Sequence, residues 1–150
     1  MSAEVWFYHL ERQSADEALP LLLEKCLERG WRAVVRLDSY EEIERLDAHL
    51  WVYRPESFLP HGAASGAEAA RLPVVLGVDA VNRNGAQVQF VLGAADVEGL
   101  DSFERVVLLF NGGDEEELAA ARATWKRVKE TGAAVSYWRQ NERGQWSKSA

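Results

Sequence analysis

Cysteine is almost missing from this chain, with Cys26 alone in 150 residues. That count excludes an internal disulfide and a multi-thiolate metal site. Long apolar runs are missing too, and none approaches the roughly 18 residues that suggest a membrane span. The opening MSAEVWFYHL has no basic stretch ahead of a greasy one. A secretory signal is therefore not expected, and the cytoplasm is the expected compartment. Phosphate-binding loops are also absent. No GxGxxG follows the first apolar segment, where HLERQSADE stands, and no GxxxxGK[ST] occurs. Histidine is scarce: His9, His49 and His61. Asp47 and His49 stand two apart on a predicted helix, which turns them to different faces and makes them a poor metal pair. No serine or cysteine has a recognisable base partner or elbow sequence. No catalytic residue, metal or cofactor is expected.

What is present suits one soluble globular domain with one core. The net charge of −7 argues against general nucleic-acid binding, but it is unevenly spread. Residues 122–150 hold seven basic and two acidic side chains, whereas residues 1–121 hold ten basic and 22 acidic. The chain has an acidic body and a basic carboxyl end.

Strands are predicted at 4–10, 31–37, 72–78, 86–92, 103–110 and 133–140, where apolar, β-branched and aromatic residues cluster. Helices begin at capping boxes formed by Ser14 with Glu17, Ser39 with Glu42, and Asp114 with Glu117. Gly30 and Gly132 supply left-handed stops for the first and third. Small residues at 62–70 predict a mobile loop, and Asn84-Gly85 predicts a turn between two strands. This order implies a three-layer α-β-α sandwich, an α/β fold of Rossmann-like type. Its sheet is expected to be mostly parallel, with 86–92 as the possible antiparallel strand.

Such a fold invites a nucleotide, and LLFNGGDEEEL (108–118) is the one glycine-rich strand-to-helix turn. Its helix opens with Asp114, Glu115, Glu116 and Glu117, which suit the helix dipole but would repel a phosphate. GGDEE brushes a diguanylate-cyclase signature, but that motif belongs on a hairpin. A nucleotide-binding α/β enzyme stays as an alternative, with direct single-stranded DNA binding by the basic end as another.

Two stretches stand out. LWVYRPESFLPHG (50–62) carries Trp51, Tyr53, Phe58 and Leu59 on a segment broken by Pro55 and Pro60, so it is no helix interior. A loop this apolar needs a cover. On the third helix, Leu118, Ala121, Trp125 and Val128 form one stripe flanked by Arg122 and Lys126. Core packing, with basic side chains complementing the helix end, explains this stripe in the plainest way. A half-exposed Trp125, with Phe110 as floor and Arg122 and Lys126 beside it, would instead make an apolar hollow with a cationic lip. Its ligand would be an acidic peptide ending in a bulky apolar residue, or single-stranded nucleic acid.

FYHLERQSADEALPLLLEKCLERGWRAVVR, ERLDAHLWVYRPESFLPHG and FERVVLLFNGGDEEELAAARATWKRVKETG together resemble the chi subunit of bacterial DNA polymerase III holoenzyme. The likeness runs from about Val5 to Trp138, and LW…SFLPH is its most specific part. The resemblance implies a non-catalytic accessory subunit of the clamp-loader complex with no bound nucleotide. The holoenzyme around it is a DNA-directed DNA polymerase, a nucleotidyltransferase. It implies one surface for the acidic, Phe-terminated tail of single-stranded DNA-binding protein and another for the psi subunit. Contact with DNA would then be indirect. Carried over by motif, the tail-binding residues are Phe110, Arg122, Trp125 and Lys126. A further family lysine falls at Glu117 or Leu118 here, which removes one positive contact. The psi-binding residues are Trp51, Phe58, Leu59, Pro60 and His61, so the cover of the proline-rich loop would be partly another protein.

Overall fold

Capping decides where the helices begin. In the computed structural model, Ser14 Oγ accepts from the Glu17 backbone N–H while the Glu17 carboxylate accepts from that of Ser14. Helix α1 (Ala15–Glu28) follows, and Gly30 leaves it at φ +79°. Ser39 Oγ accepts from Glu42 N at the start of α2 (Tyr40–Val52). Asp114 accepts from Glu116 N and Glu117 N at the start of α3 (Glu115–Glu130), and Gly132 stops it at φ +85°. The structure describes residues 3–11, 14–52, 61–63, 70–92, 97–140 and 146–149, and of 51, 52 and 61–63 the backbone alone.

The strands are β1 (Glu4–Leu10), β2 (Ala33–Arg36), β3 (His61–Ala63), β4 (Val74–Gly77), β5 (Val88–Leu92), β6 (Arg105–Asn111), β7 (Val135–Gln140) and β8 (Trp146–Lys148). They form one sheet in the order β3-β4-β2-β5-β6-β1-β7-β8, parallel throughout except for β7 with β8. The segment 86–92 was expected as the possible antiparallel strand. β5 instead runs parallel to both neighbours, β2 and β6, and the antiparallel pair lies at the carboxyl end. Burial supplies the reason: all five β5 residues are buried, as a strand covered on both faces must be.

Asn84-Gly85 does turn the chain, with Gly85 at φ +67°, but it makes no hairpin, because β2 lies between β4 and β5. The buried Asn84 amide donates to the carbonyls of Ala33, Leu72 and Pro73, pinning the turn under the amino ends of β2 and β4. β3 overlaps the start of the 62–70 segment predicted as a mobile loop; of that segment, 64–69 lie outside the described residues.

Right-handed crossovers fix the layers. The connections β1-α1-β2 and β2-α2-β3 step one way along the sheet, so α1 and α2 share a face. Leu19, Leu23, Ile43, Leu46 and Leu50 pack there on Val35, Leu76, Phe90 and Leu109. The connections β4-β5, β5-β6 and β6-α3-β7 step the other way. The opposite face therefore carries α3, with Ala121 and Val128 over Phe7, Leu108 and Phe110. This is an α/β sandwich with helices on both sides of the sheet.

One helix carries a defect and its repair. Pro20 sits inside α1 and cannot donate to the Asp16 carbonyl four residues back. His49 on α2 donates from Nε2 to that carbonyl at 2.8 Å, so a histidine considered for metal binding ties two helices together.

Candidate functional site: an apolar hollow with two guanidinium groups

Helix α3 leaves β6, crosses over β1 and delivers the chain to β7. A hollow of about 400 Å³ opens between α3 and the upper ends of β6 and β7. It is lined by Phe110, Leu118, Ala121, Arg122, Trp125, Tyr137 and Arg139. Phe110, fully buried at the end of β6, is the floor. Trp125 is a half-buried wall: its indole meets Phe7 edge-on at 5.1 Å between centroids and Tyr137 at 5.8 Å. Tyr137 lies 6.0 Å from Phe110, so three aromatic rings bound one space.

The cations come from two elements. Arg122 on α3 is exposed, and its guanidinium makes no hydrogen bond or ion pair with any described residue. Arg139 on β7 is ion-paired with Glu11, which follows β1. Lys126, one turn beyond Arg122, is exposed and stands outside the lining, and it is the Lys129 ammonium that lies over the Trp125 ring, at 5.9 Å. Of the four residues picked from the sequence, Phe110, Arg122 and Trp125 thus meet around one hollow, and Lys126 flanks it. Tyr137 and Arg139 were missed. Their signal is the alternation in VSYWRQ, which puts 135, 137 and 139 on one face of the strand.

Of Glu117 and Leu118, the two positions where the resemblance set a further lysine, Leu118 is the one on the lining. Glu117 turns away from it, with its carboxylate accepting from Asn111 N at 3.4 Å. Burial pushes the Glu117 carboxyl above its usual range; the Asn111 N–H opposes this, and the neighbouring Asp114 adds to it.

His9 supports the hollow from behind. Its Nδ1 is 2.5 Å from the Tyr137 hydroxyl, its Nε2 is 3.4 Å from Glu11, and its ring is 5.1 Å from Phe110. Burial pushes its imidazole below the usual value, and the Arg139 charge adds to this against the pull of Glu11. The ring also explains a glycine. A Cβ on Gly112 would sit 1.8 Å from His9 Nε2. The Gly112 N–H donates to the Leu10 carbonyl, the Gly113 N–H to the Asn111 side chain, and those of Glu116 and Glu117 to Asp114. The donors a phosphate would need at this turn are already engaged, and four carboxylates follow. Among the described residues, no group of three or more His, Cys, Asp or Glu stands close enough to hold a metal. No described helix is long and apolar enough to cross a membrane.

The residues that the resemblance assigned to psi are described less completely. Trp51 lies at the end of α2 and His61 opens β3 at the edge of the sheet, while Phe58, Leu59 and Pro60 lie outside the described residues.

A family model described as DNA polymerase III chi subunit, HolC, matches residues 1–136. A probable DNA polymerase III subunit chi from Rickettsia prowazekii (strain Madrid E) is 25% identical over 109 residues, 68% of this chain and 66% of that protein. The match spans just under two thirds of that relative's length. Among solved structures, the C-terminal domain of S. cerevisiae Dbp5 bound to Gle1 and IP6 superposes with a TM-score of 0.49 at 10% identity, over 91% of this chain and 90% of that one. The family match runs from β1 into β7 and takes in α3 and the floor of the hollow, and the chain belongs to the DNA polymerase III chi subunit family, whose work is DNA replication.

Proposed function

We propose that the protein is an adaptor of the DNA polymerase III holoenzyme. The α3–β7 hollow captures the acidic, Phe-ended tail of single-stranded DNA-binding protein, and the segment around residues 51–61 docks the psi subunit of the clamp-loader complex. In this reading the protein is an accessory subunit without an active site of its own, and its link to DNA runs through the tail's owner. The observation that carries the reading is the hollow itself, aromatic within and bearing Arg122 and Arg139 at its lip.

The energetics suit a transient tether. Burying one phenylalanine side chain contributes roughly 1.5–3 kcal/mol, and each charge-assisted hydrogen bond to a carboxylate about as much. After the cost of ordering a flexible tail, micromolar affinity, about −8 kcal/mol, is the expected scale. The lip charges are exposed, so binding weakens as salt rises.

The test is a titration of a synthetic acidic peptide with a C-terminal Phe. Arg122→Ala and Trp125→Ala are each expected to lower affinity about tenfold or more, roughly 1.4 kcal/mol. Wild-type binding curves for both variants would dismiss this site. An oligonucleotide titration of the protein alone addresses direct DNA binding, and no shift is expected.

A further inference from the structure

Of the two guanidinium groups at the hollow, one is already holding a carboxylate. Glu11, on the loop leaving β1, places Oε1 against Arg139 Nη2 and 3.4 Å from His9 Nε2. Both partners of the ion pair remain solvent-accessible, with the Arg139 side chain 50% exposed and that of Glu11 34% exposed. Arg122 has no such carboxylate among the described residues. We propose that Glu11 is a built-in competitor for the peptide site, occupying Arg139 until an incoming carboxylate displaces it, so that Glu11 and Arg139 together set the affinity for acidic chain ends. The inference rests on the hollow being a peptide site.

The chemistry follows from the inventory of groups. A guanidinium presents its donors in one plane, and a carboxylate from within the chain takes the edge that a ligand's carboxylate would use. A ligand approaching with Glu11 in place also meets a like charge beside its target. Displacement is feasible because an exposed ion pair is worth little, about 0–1 kcal/mol. The same Glu11 Oε1 also lies 3.4 Å from Nε2 of His9, the ring bonded to the Tyr137 hydroxyl. The wall of the hollow and the competitor thus belong to one connected network.

The experiment titrates the same acidic, Phe-ended peptide into wild type, Glu11→Gln, Arg139→Ala and the double variant, with Glu104→Gln as a control. Glu104 is exposed beside β6 at the amino edge of the sheet, and its substitution changes net charge equally. Glu11→Gln is expected to tighten binding about two- to fivefold, and Glu104→Gln to leave it unchanged. Arg139→Ala is expected to weaken binding and to erase the gain from Glu11→Gln. A gain that persists without Arg139, an equal gain in Glu104→Gln, or weaker binding by Glu11→Gln overturns the competitor role. If wild type binds and depends on Trp125 while Glu11→Gln changes nothing, this inference alone fails. If wild type does not bind the peptide, the peptide site fails and takes the competitor with it. Denaturation midpoints for each variant confirm that the fold is kept.

Discussion

Replacing Gly112 by alanine asks why a glycine stands at the β6-to-α3 turn. Its φ is not in the left-handed region, so the backbone accepts an alanine. The cost comes from His9, whose Nε2, Cδ2 and Cε1 would lie 1.8, 2.3 and 2.8 Å from the new Cβ. The ring cannot give way cheaply: the residue is 8% exposed, bound to the Tyr137 hydroxyl and packed against Phe110 at 5.1 Å between ring centroids. Moving it loses a hydrogen bond worth about 0.5–1.5 kcal/mol and forces an off-rotamer strain of about 0.5–1.5 kcal/mol. A loss of roughly 1–3 kcal/mol is expected, within the range for overpacked sites. For a domain of this size each kcal/mol corresponds to about 2–4 °C in Tm. The assay is urea denaturation of Gly112→Ala in the wild-type and His9→Ala backgrounds. Without the imidazole the penalty should vanish, and it can reverse by about 0.4–1 kcal/mol, since alanine restricts the unfolded chain. An equal penalty in both backgrounds would refute the packing account. A neutral Gly112→Ala in wild type would also refute it.

The defect in α1 predicts a coupling: His49→Ala should cost about 1 kcal/mol, and less in a Pro20→Ala background, where the helix supplies its own donor to the Asp16 carbonyl. A double-mutant cycle by denaturation checks this, and additive losses would contradict it. His9 predicts a pH slope. Its folded pKa lies below the unfolded value near 6.5, so the unfolded state binds the extra proton as pH falls below that point. The contribution of a neutral His9 is whole above about pH 6.5 and is lost as pH falls towards the folded pKa. His9→Gln should flatten that part of the stability–pH curve, and an unchanged slope would remove His9 as its source.

Much of the fold could be read locally because helix ends announce themselves chemically. Ser14 with Glu17 is a complete box in the structure. Asp114 caps α3 with its own carboxylate, while Glu117, expected to reciprocate, serves the Asn111 N–H instead. Strand direction was harder to read. Asn84-Gly85 is a strong local turn signal, and nothing within a few residues reveals that β2 will insert between the strands it joins. The run VQFVL held the better clue, since continuous burial belongs to parallel strands covered on both faces. β3 and β8 are three residues each and fall below what periodicity can resolve.

The site was half legible for a related reason. Helical spacing brings Leu118, Ala121, Arg122 and Trp125 together from the sequence alone, because one helix carries them all. Phe110 could be added as the last apolar residue before the turn. The remaining wall depends on where β7 lands. Had β7 paired with β6, α3 would pass between neighbouring strands. With β7 outside β1, the helix must cross β1, and Phe7 and His9 lie beneath it. That placement sets Tyr137 against Phe110 and Trp125, and it carries Arg139 to the loop after β1 where Glu11 waits. A lone cation on α3 would make a site of fixed strength. Under the competitor proposal, a second cation, delivered by sheet order to a carboxylate more than a hundred positions earlier in the chain, would make the strength adjustable, and single charges at 11 and 139 would be the handles on it.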